Sequence, residues 1–328
     1  MRVVSVEEGG KVNVSGHVLV VSGCGSLAYL GELCVDALVS SFDLGRAAVL
    51  ESRHLLPLAM ASAFAAPGAQ GASAATLTTA AEIYQSASVP KLSVLQLRSG
   101  IAEGASAATL TTAAEIYQSA SVPKLSVLQL RSGIAEGRRH AFVQELWTWA
   151  RSEGVAEIIV LSSCSSHVKA DADMAAHTDL RYVFTGGSTP TEAELGVGNA
   201  ALPLGHGMTE EDLQLGPTRE IASIHRFLRG GGVARPLLLQ AAAAADGEAG
   251  AEAKPGFDPP PRSKAPGVLA LLGLTGEALD LQLTEHLARC ALDVVAARLK
   301  LETPPALKAP PSWLFEMEAP TLERRLWT

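Results

Sequence analysis

The sequence predicts an α/β protein, a three-layer α/β/α Rossmann-like sandwich built on a mainly parallel sheet. Predicted strands alternate with predicted helices along most of the chain, which favours a parallel sheet covered on both faces. The chain has 328 residues, of which 48 % are hydrophobic and only 5 % aromatic. It is therefore long enough to bury a large core, and aliphatic side chains must fill most of it.

Each predicted element follows from the spacing of apolar residues. Runs of apolar residues predict strands, an apolar stripe of helical period predicts a helix, and glycine after a helix is typical of its C-terminal cap. The elements predicted in this way are strands at His17–Ser22, Ala47–Glu51 and Ala156–Ser162 and helices at Ser26–Phe42 and Arg139–Glu153, the last of them ended by Gly154.

A tandem repeat is the most unusual feature of the sequence. Residues Gly71–Glu103 recur letter for letter as Gly104–Glu136. Repeat architectures of similar period need at least three diverged units, so these two identical copies indicate a recent duplication or an error in the gene model. Both explanations remain open.

Each copy of the repeat predicts a β-hairpin. In the first copy Ala80–Gln85 can be extended, Ser86–Pro90 supplies a turn, and Lys91–Arg98 alternates apolar and polar residues at period two. The second copy leads directly into the helix at residue 139, so we expect Leu125–Arg131 to be the core strand. The first copy would then be an edge addition or an extruded loop.

Composition divides the chain into three parts. We expect an α/β core over residues 1–240, a low-complexity linker over 241–266 and a C-terminal helical segment with a tail, packed on the core, over 267–328. Ala241–Pro266 combines poly-alanine, alternating charge and clustered proline, which cannot form a core. Helical periodicity returns at Leu269–Leu272 and Glu277–Leu299.

Charge and cysteine usage exclude several classes of partner. The net charge of −8 and the absence of a basic stripe argue against nucleic acid, and no apolar run has the length of a membrane span. The first ten residues lack the apolar segment of a signal peptide. Four scattered cysteines indicate a reducing compartment (Cys24, Cys34, Cys164 and Cys290). We expect a cytoplasmic protein, with the nucleus left open.

The turn Gly23-x-Gly25-x-x-Ala28 is the first candidate for chemistry. It follows a predicted strand and opens a predicted helix, and Glu51 ends the next strand. This pattern is similar to a dinucleotide-binding fingerprint, in which glycines let the backbone approach a pyrophosphate. The alternative, which we favour, is that a tight strand-to-helix turn needs small residues whether or not it binds a nucleotide.

A serine-rich loop at Ser162–His167 is the second candidate. It offers hydroxyls, the Cys164 thiol and an imidazole, and Asp171 and Asp173 follow. These groups could supply a nucleophile and its base. The loop lacks a G-x-S-x-G elbow, however, and hydroxyls that cap the next helix are the favoured alternative. Histidines and cysteines show no metal-ligand spacing, so we expect no catalytic residue, no cofactor and no metal.

The last three residues, Leu326-Trp327-Thr328, are a candidate docking element. Leucine and tryptophan can fill an apolar pocket, and a terminal carboxylate can pair with a lysine or with backbone donors. The alternative is a frayed tail with a chance tryptophan. Docking by these residues would make the chain a binding protein.

Taken together, the motifs resemble the proteasome assembly chaperone 2 family, whose members pair with assembly chaperone 1. The similarity spans about Gly16–Gln240 and Val268 onward, leaving out one repeat copy and the linker. The segments that carry it are Ser22–Ala28, Ala81–Tyr84 with Lys91–Ser99, Glu157–His167, Asp179–Tyr182, Gly230–Gly232 and Pro311–Trp313. Their order and spacing are specific, although no single motif is decisive.

The resemblance implies a Rossmann-like fold without an active site. Such a protein forms a heterodimer with assembly chaperone 1, binds proteasome α-subunits, promotes α-ring formation and blocks off-pathway dimers. A C-terminal hydrophobic–tyrosine–any motif of the family inserts between α-subunits, and Leu326-Trp327-Thr328 matches it except that tryptophan replaces tyrosine. The resemblance assigns no role to several residues of the family motifs, namely Gly23, Gly25, Leu27, Ala28, Ser162, Ser163 and His167.

Two enzymatic alternatives stay beside this chaperone hypothesis. One is a nucleotide-binding α/β enzyme that uses the Gly23-x-Gly25-x-x-Ala28 turn. The other is a carrier or hydrolase that uses Cys164 or Ser162 as its nucleophile.

Overall fold

A nine-stranded mixed sheet forms the centre of the described part of the chain. The computed structural model describes residues 1–5, 12–56, 59–61, 77–78, 81–86, 89–97, 101–102, 110–112, 114–130, 132–169, 176–186, 191–198, 200–206, 208, 211–249 and 265–313. The strands are β1 (Arg2–Ser5), β2 (Val18–Ser22), β3 (Gly45–Glu51), β4 (Ala59–Ala61), β5 (Leu77–Thr78), β6 (Ala81–Ser86), β7 (Val89–Leu97), β8 (Ile101–Ala102), β9 (Leu110–Thr112), β10 (Ala114–Gln118), β11 (Leu125–Leu130), β12 (Glu157–Ser165), β13 (Leu180–Thr185), β14 (Leu202–Pro203) and β15 (Gly267–Thr275).

Helices connect the strands of this sheet. They are α1 (Leu30–Ser41), α2 (Arg139–Ser152), α3 (Glu192–Leu195), α4 (Arg219–Phe227), α5 (Ala234–Ala249) and α6 (Leu281–Leu299), with short 3₁₀ turns at Leu27–Tyr29, Ser166–Val168 and Asp212–Leu215. Thr218 and Asp280 begin α4 and α6 by accepting a hydrogen bond from a backbone amide of the first turn. No helix among the described residues is both long and apolar enough to cross a bilayer.

The sheet has the order β1-β3-β10-β11-β2-β12-β15-β13-β14. Its four central strands, β11, β2, β12 and β15, are mutually parallel. On one side β10, β3 and β1 continue antiparallel, and on the other β13 is antiparallel to β15. The parallel centre places the carboxyl ends of β11, β2, β12 and β15 on one edge of the sheet, where the candidate motifs lie.

Helices cover both faces of the sheet, which confirms the α/β/α architecture predicted from the sequence. Alternate residues of a strand enter opposite cores: in β12, Ile158 and Val160 pack with α2 and α5, whereas Ile159 and Leu161 pack with α1 and α6. Side chains of a strand point to opposite faces at period two, so a sheet buried on both sides needs continuous apolar strands. The apolar runs in β2 and β12 meet that need.

The hairpin of the second copy, β10 with β11, is the part of the repeat that enters this sheet, and its inner strand is β11. All six of its residues are buried, including two polar ones. Ser126 accepts a hydrogen bond from Gln118 Nε2 at 2.7 Å, and Gln129 Nε2 donates to Asp36 Oδ1 at 2.9 Å and to the Glu32 carbonyl at 3.1 Å. Buried polar groups need such partners, and these bonds satisfy the Ser126 hydroxyl and the Gln129 amide nitrogen. Gln129 Oε1 is buried without a hydrogen-bond partner among the described residues. The second copy supplies the core strand, as expected.

The first copy lies outside the nine-stranded sheet. Three antiparallel pairs are nested between β3 and β10, first β4 with β9, then β5 with β8, and innermost β6 with β7. The chain therefore leaves the sheet after β3, runs out along one arm and returns along the other to β10. Of the two arrangements expected for the first copy, this is the extruded one.

Two elements differ from the sequence-based expectation. Leu269–Leu272 was expected to be helical but lies in β15, a strand buried between β12 and β13. A short, uniformly apolar run fits a buried strand as well as a buried helix, which is why periodicity misassigned it. In addition, α5 continues to Ala249 with Ala241 and Ala242 buried, so the helix extends beyond the expected linker boundary at residue 241.

Candidate functional site at the carboxyl edge of the sheet

Three segments far apart in sequence meet at the carboxyl edge of the sheet. The turn after β2, the end of β12 and the segment Gly230–Gly232 contact one another through backbone and hydroxyl groups. Ser162 Oγ donates to the Gly231 carbonyl at 3.1 Å, and Ser163 Oγ donates to the Leu27 carbonyl at 2.8 Å. We call this contact region the glycine–serine cluster.

Glycine is required in the cluster because the segments approach too closely for a side chain. A Cβ atom on Gly23 would lie 2.4 Å from Ser162 Oγ, and one on Gly232 would lie 2.2 Å from the Cys24 carbonyl oxygen. Gly232 also has φ of +52°, in the left-handed region that favours glycine. The glycines therefore allow protein backbone to pack on protein backbone.

The cluster occupies the face of the turn that a nucleotide would need. In a dinucleotide fingerprint, amides after the glycines face the pyrophosphate. Here the Ser26 amide donates to the Gly23 carbonyl at 2.9 Å, and Ser26 forms an isolated antiparallel bridge with Gly231. The Gly230–Gly232 segment lies against the turn, so the geometry differs from a nucleotide-binding loop at this point.

Helix α1 also begins differently from the helix of a fingerprint. Ala28 and Tyr29 have φ values of 56° and 51°, and α1 starts only at Leu30. Ala28, the third small residue of the pattern, therefore lies before the helix. The residue that lets α1 approach the sheet is Gly31, whose Cβ would lie 2.1 Å from the Leu161 carbonyl oxygen. A glycine inside a predicted apolar helix was the signal for this contact in the sequence.

The serine-rich segment was expected to be a loop, but Ser162–Ser165 is the last part of β12 and a 3₁₀ turn follows. Its polar groups serve the structure. Ser162, Ser163 and Cys164 are fully buried, and Ser165 Oγ accepts from the His167 amide at 3.3 Å. His167 is exposed at the surface. Asp171 and Asp173, which were considered as partners of this loop, lie outside the described residues.

The buried Cys24 thiol near the cluster is held protonated. Burial, followed by the charge of Glu32, raises the pKa of Cys24 to about 12, and its Sγ donates to the Ser132 carbonyl at 2.9 Å. The thiolate is the nucleophilic form of cysteine. At neutral pH Cys24 is therefore a packing residue and a weak hydrogen-bond donor.

The C-terminal motif Pro311–Trp313 packs against α1, near the same edge. Ser312 Oγ donates to Asp36 Oδ2 at 2.8 Å, and Trp313 Nε1 donates to the Leu33 carbonyl at 3.2 Å. Asp36 is 1 % exposed and also accepts from Gln129, so it joins the C-terminal segment to the repeat strand β11. The docking tail Leu326–Thr328 lies outside the described residues and stays a prediction.

Tyr29 is a surface residue of this edge that sequence reasoning missed. Its side chain is 73 % exposed, more than that of any other large apolar residue in the described ranges. It follows Ala28 in a pair of left-handed residues, a conformation that costs a non-glycine residue about 1–2 kcal/mol. Such strain is most often kept at functional positions. No burial of the tyrosine ring offsets it here.

Comparisons with known proteins give structural likeness alone. No family model matches the chain, and no curated protein matches it. PbaA of Pyrococcus furiosus, described as an archaeal homolog of proteasome-assembly chaperone, is similar with 12 % identity and a TM-score of 0.47 over 99 % of this chain and 95 % of that one. PbaB of the same organism, described as an archaeal proteasome activator, has 12 % identity and a TM-score of 0.49 over 100 % and 98 %.

A third solved structure is a PAC2 family protein from Streptomyces avermitilis. It has 12 % identity and a TM-score of 0.37, and the match covers 91 % of this chain and 90 % of that one. Likeness at this level concerns the course of the backbone. It does not determine what this chain binds.

Proposed function

We propose that this chain is a non-enzymatic chaperone that promotes assembly of the 20S proteasome α-ring as a heterodimer with assembly chaperone 1. The observation that carries the proposal is the glycine–serine cluster. Its glycines and serines are the residues on which the sequence resembles this family. They pack against each other, so their small size and hydroxyl groups have a structural reason that requires no substrate.

The cluster argues against the nucleotide-binding alternative and against Ser162 as a nucleophile. Gly231 and Gly232 cover the turn at Gly23 and Gly25, where a nucleotide phosphate would have to lie. Ser162, one of the two candidate nucleophiles, is buried, and its hydroxyl donates a hydrogen bond to the Gly231 carbonyl. A carbonyl cannot act as the general base that a serine nucleophile needs.

Co-purification tests the proposal. The full chain, tagged at its N-terminus and expressed in its source cells, is expected to retain assembly chaperone 1 and proteasome α-subunits, identified by mass spectrometry. Nucleotide released from the same preparation by acid should be far below stoichiometric. Stoichiometric NAD or ATP would favour the nucleotide-binding alternative. Electrophile labelling that is lost in Ser162→Ala or Cys164→Ala would favour the hydrolase.

The last three residues are proposed as one docking point of this chaperone. Leucine and tryptophan would fill an apolar pocket between α-subunits, and the terminal carboxylate would pair with a cation. Deleting Leu326–Thr328 should weaken α-subunit binding and leave the thermal unfolding midpoint unchanged. Trp327→Tyr, which restores the family residue, is expected to keep or improve binding. Equal affinity of the deletion and the intact chain would exclude the tail.

We also propose the cytoplasm as the place of action, with the nucleus open, because α-ring assembly requires free α-subunits. Immunofluorescence of the tagged chain, compared with that of the α-subunits, tests this.

A further inference from the structure

Four exposed basic residues lie on the segments that meet at the turn before Tyr29. α2 follows the parallel strand β11, so it begins at the carboxyl edge of the sheet, and its Arg139 Nη2 lies 3.6 Å from the Cβ position of Gly25. On the other side of the same turn, the Arg229 carbonyl accepts from the Ser165 amide at 3.1 Å. We define the basic rim as the exposed residues Tyr29, Arg138, Arg139, His167 and Arg229.

Ion pairs within the described chain do not explain the charges of the rim. Every carboxylate among the described residues lies more than 4.0 Å from the charged nitrogens of Arg138, Arg139 and Arg229. Within the described ranges these arginines lack such a partner, in a chain whose net charge is −8. Arg138 and Arg139 also stand at the N-terminus of α2, and the first turn of that helix has no acidic residue. Cations are unfavourable at that end of a helix dipole. Their placement therefore opposes helix stability.

The apolar part of the rim is equally unexplained by folding. Leu27 packs on Gly230, whose Cβ position is 2.9 Å from Leu27 Cγ, and this contact fixes the turn that projects Tyr29. The tyrosine is held in a left-handed conformation and stays 73 % exposed. Tyrosine and arginine are residue types enriched in interface hot spots.

We propose that the basic rim is a docking surface for an acidic segment of a partner protein, with an apolar side chain of that segment on Tyr29 and carboxylates on Arg139 and Arg229. The proposal rests on the proposed function, in that it assigns to this rim one contact of a chain that acts by binding proteins. Arginine pairs with carboxylates through two parallel hydrogen bonds, which gives such a contact both orientation and specificity.

The charge pattern favours a protein segment over a nucleic acid. Beyond β15 the same edge becomes acidic: Glu277 and Asp280 are exposed, and Asp179, which precedes β13, pairs with Lys169 at 2.5 Å. A polyanion that tracked the edge would meet these carboxylates. A folded partner can present carboxylates to one half of the edge and cations to the other.

Two probes test the rim on the full chain. One is a fluorescein-labelled peptide of alternating glutamate and leucine, and the other is purified proteasome α-subunits. Tyr29→Asn removes the ring but keeps a residue that tolerates the left-handed region, and Arg139→Gln and Arg229→Gln remove charge. Matched controls are Leu215→Asn, 49 % exposed before the start of α4, and Arg289→Gln, exposed on α6.

We expect Tyr29→Asn to weaken binding of both probes about 10-fold, and each arginine variant to weaken it about 5-fold with a reduced dependence on salt. The controls should bind as the unaltered chain does. If Tyr29→Asn and Arg139→Gln bind the probes as the unaltered chain does, the proposed docking at the basic rim is wrong. The same conclusion would follow from a preference for an oligothymidylate, or from equal binding of a peptide with lysine in place of glutamate.

The two proposals fail in different ways. If the unaltered chain binds α-subunits and the rim variants bind them equally well, the rim is wrong and the chaperone function stands. If the chain binds the acidic peptide through the rim but binds no α-subunit, the rim stands and its partner is of another kind. Circular dichroism of each variant confirms that it is folded.

Discussion

Replacing Gly31 with alanine tests how closely α1 packs on the sheet. Gly31 has an ordinary helical backbone, and alanine is more favourable than glycine inside a helix by about 1 kcal/mol. On helix propensity alone, Gly31→Ala should therefore stabilise the protein. The structure predicts the opposite sign, because the new Cβ would lie 2.1 Å from the Leu161 carbonyl oxygen and 3.0 Å from the Gly23 amide nitrogen.

The size of the stability loss in Gly31→Ala depends on which of the contacting atoms can move. Both contacting atoms are backbone atoms, and Leu161 belongs to the central strand β12, so no side chain can rotate away. α1 must shift from the sheet by roughly 1 Å, and overpacking of this kind costs about 1–3 kcal/mol, with larger values where the backbone must move. Because the backbone itself must move, we take the upper end of that range, about 3 kcal/mol. Subtracting the propensity gain of about 1 kcal/mol leaves an expected net loss of about 2 kcal/mol in the free energy of unfolding.

Urea unfolding followed by circular dichroism measures this difference. Gly45→Ala is the matched control, since its Cβ would meet only the Gln118 carbonyl oxygen at 3.8 Å, an ordinary contact. We expect that control to change stability by less than about 0.5 kcal/mol. A Gly31→Ala protein as stable as the unaltered chain, or more stable, would refute the close packing of α1 and with it the description of the turn.

Three further predictions concern other parts of the chain. Ser312→Ala removes one hydrogen bond from the buried Asp36 carboxylate, so the free energy of unfolding should fall by about 1–2 kcal/mol. The control Ser121→Ala, in an exposed turn, should leave that free energy unchanged. Desolvation would raise the pKa of Glu145, but hydrogen bonds from the N-terminal ammonium and from Ser52 Oγ at 2.6 Å outweigh it and lower the pKa below 4.5. The ionised Glu145 therefore stabilises the fold above pH 4.5, and this contribution is lost as the pH falls through the folded-state pKa. In Glu145→Gln the free energy of unfolding should depend less on pH over that range. An unchanged pH dependence would contradict the contact. Trypsin should release Ser99–Lys124 if both repeat copies are translated, and mass spectra that contain SGIAEGR without that peptide would show a single-copy protein.

Local pattern determined most of the individual elements. Strands β2 and β12 and helices α2 and α6 lie within a few residues of their predicted bounds, because apolar runs and apolar stripes reflect burial directly. β15 was missed since a strand buried on both faces has no alternation to distinguish it from a helix. The reversal of direction at β13 was also invisible, because strand polarity depends on which neighbour a strand finds.

The candidate site was only partly visible in the sequence. Gly23, Ser162 and Gly231 were recognised as separate motifs, yet their contact depends on how β2, β12 and the segment before α5 are placed in space. Tyr29 was missed because nothing in the local sequence marks a left-handed residue that is not glycine or asparagine. The role of Asp36 was missed for a similar reason, since its partners Gln129 and Ser312 are remote in sequence.

The repeat separates what sequence determines from what tertiary structure decides. Two identical segments both form antiparallel hairpins, β6 with β7 and β10 with β11, so the local sequence determines the hairpin. Only β11 has β2 beside it, helices over both faces and a short connection to α2. Burial against those neighbours stabilises one copy in the nine-stranded sheet and leaves the other in the extruded arm. The two copies therefore differ in their place along the chain and in the strands and helices they can pack against, and two identical sequences cannot encode that difference.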